Sequence, residues 1–457
     1  MRISALLVLV LAAPLAAQPA LDVSPYRDAA DRIIAAALAD SAAYERLVTL
    51  VDRFPRRLSG SEELERSIDW SLAEMEADGL ENVRGEPVMV PHWVRGEEAA
   101  VMVEPRREDL PMLGLGGSVG TPPEGITAEV LVVLSFEELE RRRDEAAGKI
   151  VLFNVPFTTY GETVRYRVNG AVEAARHGAV AALVRSVTPY SMQTPHTGTM
   201  RYAEDQPRIP SAALTIEGAE LLQRMQDRDE RVVVTLTMGA ETLPDAESRN
   251  LVGEIVGREF PDEVVVIGGH IDSWDVGQGA MDDAGGVVVT WEAVRLLHAL
   301  GLRPRRTIRV VGWTNEENGL RGAVAYRDQH AADLHNHVLA AEIDGGVFMP
   351  LGFGVTASDS AFAMLKPIEA LLAPVLGEVE GFPTGITRGG GGADIGPLMA
   401  EGVPGAGFRV DGSRYFWYHH TAADTADKLD PEEVQRGVAA MAIFAYVVAE
   451  MPEALPR

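Results

Sequence analysis

Three short apolar runs in the second half of this chain alternate with helix-forming segments, and this alternation constrains the fold more than any other feature. The runs are EVVVIGGH (263–270), RTIRVVGWT (306–314) and HVLAAEID (337–344). The segments between them are VVVTWEAVRLLHAL (287–300) and NEENGLRGAVAYRDQH (315–330). Strands that alternate with helices at this spacing form a largely parallel sheet with helices on both faces. We therefore predict an α/β fold in which a mostly parallel or mixed sheet is flanked by helices.

The ends of these strands carry histidine and acidic residues. In open α/β sheets, ligands bind beyond the carboxyl ends of the strands. The residues at or just past the three strand ends are His270 with Asp272, Glu316 with Glu317, and Asp344. A carboxylate near a histidine can hold the second imidazole nitrogen, as often happens around zinc. Two adjacent glutamates point in different directions, so one can bind a metal while the other acts as a general base. The simpler alternative for the glutamates is an acidic helix N-terminus.

Two further stretches supply candidate ligands. In GAMDDAGG (279–286), small residues permit a sharp turn before a helix, and the Asp282 carboxylate has two oxygens with which it could bridge two metals. A helix cap is the simpler role for Asp282 or Asp283 alone. In RYFWYHHTAADTADKLD (414–430), two histidines lie in an aromatic setting. Two histidines and three carboxylates suit a pair of divalent metals, and a ligand set without thiolate fits zinc, with manganese or cobalt as alternatives.

The order and spacing of these motifs resemble those of the co-catalytic zinc exopeptidases, a family that includes bacterial leucyl aminopeptidases and glutamate carboxypeptidases. The matching motifs run from about residue 250 to about residue 430. The resemblance implies two Zn²⁺ ions per chain and a cis peptide bond between Asp282 and Asp283. It assigns His270 and Asp344 to one zinc, Glu317 and His420 to the other, Asp282 to the bridge, Asp272 to the orientation of His270, and Glu316 to the general base.

The resemblance leaves the substrate contacts more open. Some relatives place a tyrosine directly before the last histidine ligand, where it helps to stabilise the oxyanion, but this chain has His419 there and Tyr418 before it. Either residue is a candidate for that role. The stretch TRGGGGADIGP (387–397) is predicted to form a wall of the substrate cleft. In that wall, Arg388 would pair with a free substrate carboxylate and Asp394 with a free amine, and a plain surface loop is the alternative.

The first half of the chain indicates an inserted module. The stretch MLGLGGSVGTPPEGITAEV is rich in Gly and Pro and indicates a boundary. Short apolar strands and helical patterns follow it, in an order that resembles a protease-associated domain. We therefore predict a signal peptide at residues 1–17, the two parts of the peptidase domain at 18–120 and 237–457, and an inserted protease-associated α/β domain at 121–236. The insert should lean over the cleft without supplying a metal ligand, so His177 and His196 should lie off the metals.

Charge and the N-terminus restrict the partners and the location. A net charge of -27 argues against nucleic acid as a partner, because a polyanion would be repelled. The start MRISALLVLVLAAPLAAQPA has one arginine, a short apolar run and then small residues, which is the layout of a secretory signal peptide. The chain has no cysteine and therefore no disulfide. We expect a secreted or periplasmic protein with no membrane attachment after signal removal. The oligomeric state stays open, with a homodimer as one alternative.

The resemblance implies a function as well as a fold. It predicts a secreted di-zinc metallo-exopeptidase that hydrolyses small unblocked peptides, in particular dipeptides, with water activated by the metals. No cysteine and no G-x-S-x-G motif offers a rival nucleophile. Two alternatives stay open: a two-metal hydrolase of another amide or of an ester, and a receptor-like ectodomain without catalysis. The second alternative predicts the loss of metal ligands, whereas all five candidates are present.

Overall fold

The structure is a computed structural model, and it describes residues 21–457. The predicted signal peptide, residues 1–17, lies outside the described residues. Within residues 21–457, no helix is both long enough and apolar enough to cross a membrane.

The strands of the described residues fall into two eight-stranded sheets. In chain order they are β1 (Glu81–Val94), β2 (Glu98–Glu104), β3 (Glu108–Leu110), β4 (Met112–Gly114), β5 (Ile126–Val133), β6 (Ile150–Phe153), β7 (Ala181–Arg185), β8 (Ser211–Leu214), β9 (Val233–Met238), β10 (Glu241–Ile255), β11 (Phe260–His270), β12 (Arg306–Trp313), β13 (His337–Glu342), β14 (Pro350–Thr356), β15 (Gly385–Arg388) and β16 (Gly405–Val410).

The α-helices of residues 21–457 are distributed over both sheets. In chain order they are α1 (Arg27–Ala39), α2 (Ala42–Arg53), α3 (Glu62–Ala77), α4 (Phe136–Arg141), α5 (Arg143–Ala146), α6 (Tyr160–Arg176), α7 (Ile216–Gln226), α8 (Gly285–Ala299), α9 (Arg321–Gln329), α10 (Asp359–Leu365), α11 (Glu369–Leu372), α12 (Gly396–Ala400), α13 (Tyr415–Tyr418) and α14 (Pro431–Glu450). Several begin at a side chain that accepts a hydrogen bond from the first turn and so replaces a missing intrahelical partner. These capping residues are Ser61, Thr159, Thr215 and Asp430.

The first sheet has the strand order β1-β10-β12-β11-β13-β16-β14-β15. Its centre is parallel, because β11 pairs in parallel with both β12 and β13, and β13 pairs in parallel with β16. Antiparallel pairs flank this centre, namely β1 with β10, β10 with β12, and β14 with β16. The predicted α/β fold with a mixed sheet is therefore confirmed.

The central strands are buried on both faces, which explains their nearly continuous apolar sequence. On β11, Val265 and Ile267 pack into the core formed with α1, α2, α3, α8 and α14. The alternate residues Val264 and Val266 pack into a smaller core with α9 and α12. Side chains alternate across a strand, so a single run fills both layers.

The second sheet is built from the chain between the two long strands β1 and β10, which pair with each other and lead out of and back into the first sheet. We call residues 98–238, which contain strands β2 to β9, the inserted unit. Its strand order is β3-β2-β9-β5-β6-β7-β8-β4, and it has apolar clusters on both faces, one with α7 and one with α4 and α6. The unit begins at Glu98, earlier than the predicted boundary at residue 121.

Candidate active site

His270 ends the central strand β11, where its side chain is fully buried. Its Nδ1 lies 3.0 Å from the main-chain oxygen of Asp272 and 3.7 Å from the nearest carboxylate oxygen of that residue. Its Nε2 faces two acids, with 3.2 Å to Oδ1 of Asp282 and 3.4 Å to Oδ1 of Asp344. An imidazole that donates through Nδ1 presents a free lone pair at Nε2, which is the form that binds a metal.

Asp272 contacts the His270 ring through its main chain rather than through the carboxylate that the prediction assigned to this role. The closest contact of Asp272 to the His270 ring is its main-chain carbonyl, whereas its carboxylate accepts hydrogen bonds from two main-chain N–H groups after β12. These come from Glu316 at 3.0 Å and Glu317 at 3.2 Å. Asp272 therefore connects the end of β11 to the glutamate pair at the end of β12, and it fixes both glutamates by their backbone.

The turn Ala280–Ala284 carries Asp282 into the same space. Three successive N–H groups of this turn donate to the carboxylate of Asp424, at 3.1 Å from Ala280, 2.7 Å from Met281 and 3.2 Å from Asp282. Asp424 is thus a buried acid whose carboxylate binds the main chain of the turn. The Asp282 carboxylate is not used in these contacts and can face the candidate ligands.

Asp283 acts on the opposite side of this turn. The peptide bond between Asp282 and Asp283 is cis, which confirms the prediction. The carboxylate of Asp283 accepts from the N–H of His270 at 3.1 Å and from that of Gly286, in the first turn of α8, at 3.0 Å. It therefore joins the strand end to the helix start and does not point at the candidate metal ligands.

His420 completes the group from the C-terminal part of the chain. It has a positive φ of 61°, and its Nε2 lies 3.1 Å from Oε2 of Glu317 and 3.3 Å from Oδ2 of Asp282. Its Nδ1 is 3.3 Å from the carbonyl oxygen of Thr197, whose N–H donates in turn to the carbonyl of His420 at 3.0 Å. Thr199 donates its hydroxyl to the carbonyl of Glu317 at 2.6 Å. The inserted unit therefore supports two of the predicted ligands from outside.

The side chains form two groups that share one acid. His270, Asp282 and Asp344 offer three ligand atoms that all lie within 4.8 Å of one another, and so do Asp282, His419 and His420. Glu317 adjoins the second group through its contact with His420. One shared carboxylate between two clusters of nitrogen and oxygen donors is the arrangement that a bridged pair of divalent ions requires.

Two buried oxygens in this group have no hydrogen-bond partner among the described residues. They are Oδ2 of Asp282 and Oε1 of Glu317. A buried, unpartnered carboxylate oxygen is costly unless a cation or proton satisfies it. The donor set, with imidazole and carboxylate only, therefore fits divalent metal ions such as zinc.

Burial and mutual repulsion shift the ionisation of these groups. Burial raises the pKa of Glu317 to about 7, and the neighbouring Asp282 carboxylate adds to the effect. Burial also raises the pKa of Glu316 well above its usual range, with further repulsion from Asp344 and Glu317. Burial alone would lower the pKa of His420, but the carboxylates of Glu317 and Asp282 raise it to about 10. Bound divalent cations would oppose the upward shifts of the glutamates, because a nearby cation stabilises the ionised form of an acid.

A buried arginine below the turn was not among the predicted site residues. Arg57, in the stretch RFPRRLSG, is fully buried and uses its guanidinium nitrogens on main-chain carbonyls. Burial lowers its pKa to about 10, while Asp424 and Asp272 oppose that shift, so it stays charged at neutral pH. The accepting carbonyls are those of Ile271 at 2.8 Å, Phe54 at 3.0 Å, Gln278 at 2.9 Å and Gly279 at 2.9 Å.

A second unpredicted residue is Tyr415, at the start of α13. Its hydroxyl lies 3.5 Å from the carbonyl oxygen of Asp344, and its ring is 5.1 Å from that of His419. Burial raises its pKa well above the usual range, and the carboxylates of Asp282 and Asp344 add to the shift. Tyr418 packs partly buried against the core of the first sheet, and its carbonyl accepts from the N–H of Thr421 at 3.1 Å. The Tyr415 hydroxyl therefore contacts the main chain of a candidate ligand.

His419 stacks on His420, with ring centroids 3.5 Å apart and planes at 22°. Its Nε2 is 3.7 Å from Oδ2 of Asp282. Burial lowers its pKa well below the usual range, and the charge of His420 adds to that effect, so this imidazole is neutral. His419 is therefore brought to the candidate site as predicted, next to the shared acid.

The two predicted substrate residues of the glycine-rich stretch have different surroundings. Arg388 is exposed, with an ion pair of 2.6 Å to Asp359, and it lies 4.2 Å from the centroid of the Phe362 ring. Asp394 is fully buried and both of its carboxylate oxygens lack a hydrogen-bond partner. Burial raises the pKa of Asp394 well above its usual range, and the nearby Glu342 adds to the shift. The structure thus places Asp394 among the buried acids and gives Arg388 a partner of its own.

The histidines of the inserted unit do not belong to either group of candidate ligands. His177 lies 3.3 Å from Glu140 of its own unit. His196 is buried, and neither ring nitrogen has a hydrogen-bond partner among the described residues. Burial lowers the pKa of His196 to about 3, and the charges of His420 and Arg167 contribute.

Comparison with known proteins provides an independent line of evidence. Residues 250–445 match the model of peptidase family M28. Carboxypeptidase Q of Mus musculus is 49% identical over 439 residues, which cover 95% of this chain and 92% of that protein. Carboxypeptidase Q of Homo sapiens is 49% identical over 419 residues, covering 92% of this chain and 88% of that protein.

Solved structures show the same relationship. The crystal structure of a peptidase M28 precursor from Shewanella amazonensis SB2B superposes with a TM-score of 0.91 at 35% identity, covering 95% of this chain and 99% of that one. An aminopeptidase from Aneurinibacillus sp. strain AM-1 superposes with a TM-score of 0.65 at 20% identity, covering 93% of this chain and 97% of that one, and shares the fold.

Proposed function

The chain belongs to peptidase family M28, and on that premise we propose that it is a two-zinc exopeptidase that hydrolyses small unblocked peptides, in particular dipeptides. Membership of the family confirms the prediction of a zinc metallopeptidase with a mixed α/β fold. The number of ions, the roles of individual residues and the choice of substrate are the content of the proposal.

The observation that carries the proposal is the pair of ligand groups that share Asp282. His270 and Asp344 would hold one ion, Glu317 and His420 the other, and Asp282 both. When bound, two such ions supply Lewis acidity and a water of lowered pKa that is nucleophilic near neutral pH.

Glu316 is the proposed general base. Its N–H is held by the Asp272 carboxylate at 3.0 Å, so its backbone is fixed beside that of Glu317. Its side chain makes no ion pair with a described residue, and burial holds its pKa well above the usual range. A carboxylate in such surroundings takes a proton readily from the attacking water and returns it to the leaving amine.

The oxyanion of the tetrahedral intermediate needs a donor beside the metals. His419 is neutral, lies 3.7 Å from the shared acid and can supply an imidazole N–H. Tyr415 faces the same space, with its hydroxyl 3.5 Å from the carbonyl oxygen of Asp344. We assign the oxyanion contact to these two residues, and we prefer Tyr415 to Tyr418 because the Tyr415 hydroxyl contacts Asp344.

The inserted unit supports the restriction to small substrates. It lies over the second ligand group, where Thr199 contacts Glu317 and the ring of Tyr160 meets that of His419 at 5.3 Å. The ring of Phe416 also stacks on that of Tyr160, with centroids 5.1 Å apart. Such a cover leaves little room for a long chain on both sides of the scissile bond. The predicted signal peptide supports a location outside the cytoplasm, in the periplasm or the medium.

The decisive assay uses zinc-loaded mature protein and a library of unblocked dipeptides. The same peptides, acetylated at the amine or amidated at the carboxylate, serve as the comparison. Unblocked dipeptides should be hydrolysed and doubly blocked ones should not. Equal cleavage of doubly blocked peptides or of internal bonds in longer chains would refute the exopeptidase assignment.

A further inference from the structure

A buried indole N–H without an acceptor lies between the first sheet and the inserted unit. Trp274, in the loop that follows β11, is only 2% exposed, and its Nε1 has no hydrogen-bond partner among the described residues. The ring belongs to a small apolar cluster with Leu58, Trp93 and Ala240. Trp93 has an acceptor there, since its Nε1 donates to the carbonyl of Ser118 at 2.9 Å. A buried donor that stays unpaired costs free energy, so the Trp274 N–H requires an explanation.

Close packing fixes the position of this ring. Its outer edge lies against Gly116 of the inserted unit, where a Cβ would be 2.0 Å from Cη2 and 2.4 Å from Cζ3 of the indole. The backbone of Gly116 is held in turn, because its N–H donates to the carbonyl of Gly198 and its carbonyl accepts from the N–H of Met200, both at 3.0 Å. The direction of the indole N–H is therefore set by contacts from both parts of the protein.

Trp274 shares a small cavity with the second ligand group. The cavity has a volume of about 10 Å³, and its walls include Trp274, Asp282, Glu317 and His420. The rings of Trp274 and His420 have their centroids 5.5 Å apart. Two other side-chain atoms of the wall residues are buried and unpaired, namely Oδ2 of Asp282 and Oε1 of Glu317. A volume of this size, with several polar groups around it, is close to what a single water requires.

The two oxygens of Glu317 have different surroundings. Oε2 lies 3.1 Å from Nε2 of His420, whereas Oε1 has no donor. Apart from the acids, the cavity wall offers three side chains that can donate a hydrogen bond. His420 turns its Nε2 towards the other ligands, and Thr421 donates its hydroxyl to the carbonyl of Tyr418 at 2.8 Å. The indole N–H of Trp274 is the side-chain donor of this wall that is left for Oε1.

We propose that Trp274 is a positioning residue of the second metal site, and that its indole N–H holds Oε1 of Glu317 through one buried water. The inference rests on the proposed two-zinc function and adds a contact outside the ligands. Carboxylates that bind a metal are themselves hydrogen-bonded, and loss of such an outer contact typically lowers metal affinity by about 10-fold to 100-fold. A water bridge is nearly as favourable in enthalpy as a direct hydrogen bond. The site assigned to His270 and Asp344 does not depend on this contact.

The test measures the zinc affinity of both sites by competition with a chelator. Trp274→Phe keeps most of the ring and removes the N–H. It should lower the affinity of one site by about 10-fold to 100-fold and leave the other unchanged. Glu317→Gln identifies the affected site, because it removes the second site and leaves the first to be measured alone. Adding Trp274→Phe to Glu317→Gln should not change the affinity of the zinc that remains.

The matched control is Trp93→Phe, which removes an indole N–H from the same apolar cluster. It leaves the Ser118 carbonyl without its donor, so it should lower Tm but keep both zinc affinities. Wild-type affinities in a folded Trp274→Phe variant overturn the proposal, and so does an equal loss of affinity in Trp93→Phe. If Trp274→Phe does not fold, benzothienylalanine at position 274 keeps the shape of the ring and replaces the N–H with sulfur. Wild-type zinc affinities in that variant have the same consequence.

The indole N–H gives a second readout that requires no turnover. In protein labelled with ¹⁵N at its six tryptophans, the Trp274 indole signal is the one that Trp274→Phe removes. Zinc at the second site should shift this signal and slow its exchange with deuterium, while the Trp93 signal stays in place. That response supports the inference even if no dipeptide is hydrolysed. If wild type binds two zinc ions and hydrolyses dipeptides but the Trp274 signal does not respond, this inference fails and the proposed function stands. If wild type binds only one zinc, both fail.

Discussion

Replacing Arg57 with methionine should destabilise the protein and weaken its metal binding. The guanidinium holds together segments that are far apart in sequence, because it donates to carbonyls before α3, at the end of β11 and in the loop that leads to Asp282. It is also a positive charge that offsets Asp424, Asp272 and Glu317. Methionine fills a similar volume but supplies neither the donors nor the charge.

The size of the effect follows from the contacts. A hydrogen bond from a charged donor is worth about 1.5–3 kcal/mol, so four of them sum to roughly 6 kcal/mol at the low end. Removal of one member of a buried charge arrangement typically costs about 3–5 kcal/mol, because the opposite charges are left buried without compensation. We expect the free energy of unfolding to fall by ~4 kcal/mol. With an unfolding entropy of about 2.1 cal/mol/K per residue over 457 residues, Tm should fall by about 4 °C for cooperative unfolding.

Calorimetric melting and metal analysis of the purified variant check this expectation. The matched control is Arg56→Met, since Arg56 is the adjacent residue and is exposed. The control should melt within about 1 °C of the wild type, as surface substitutions usually change stability by no more than ~0.5 kcal/mol. If Arg57→Met melts like the control and retains its full zinc content, the buried guanidinium does not hold the site together and the reasoning is wrong.

Other predictions concern the metals and the chemistry. Metal analysis of wild type should approach two zinc per chain, and a chelator should abolish activity; full activity with one zinc would contradict the bridged site. Glu316→Gln should keep both zinc ions and lower kcat by about 10²-fold or more, and wild-type turnover in this variant would exclude it as the base. Glu317→Gln should lose zinc from one site, as measured by the same analysis. Tyr415→Phe should lower kcat by about 10²-fold, as loss of an oxyanion donor does, with zinc content unchanged; an equal effect in Tyr418→Phe alone would reverse the choice of tyrosine.

The strand ends were predictable from sequence because the information is local. Alternating apolar strands and helices define a parallel sheet, and the carboxyl ends of such strands meet at one edge. His270, Glu316 and Asp344 follow from that rule alone. Their distances and their shared neighbour Asp282 required the folded chain, since the turn that carries Asp282 is held by Asp424 from far along the sequence.

Other features depend on tertiary contacts that no local pattern records. Arg56 and Arg57 are adjacent in sequence, yet one is exposed and the other is buried under the site. Tyr415 and Tyr418 lie about one helical turn apart on the same face of α13, so the placement of this helix along its axis decides which of them reaches Asp344. The Gly- and Pro-rich stretch near residue 115 indicates irregular backbone, and it lies inside the inserted unit because β2, β3 and β4 already belong to the second sheet.

The support from the inserted unit is unequal for the two proposed metal sites. His270 and Asp344 both follow central strands of the first sheet, and the hydrogen bonds that hold His270 come from Asp272 and Asp283 of the same domain. The carbonyls of His420 and Glu317, in contrast, accept hydrogen bonds from the inserted unit, from the Thr197 N–H and the Thr199 hydroxyl respectively. Small displacements of a ligand weaken a metal site, because outer contacts fix the ligand geometry. Any movement of the inserted unit would therefore act first on the ion that His420 and Glu317 are proposed to hold.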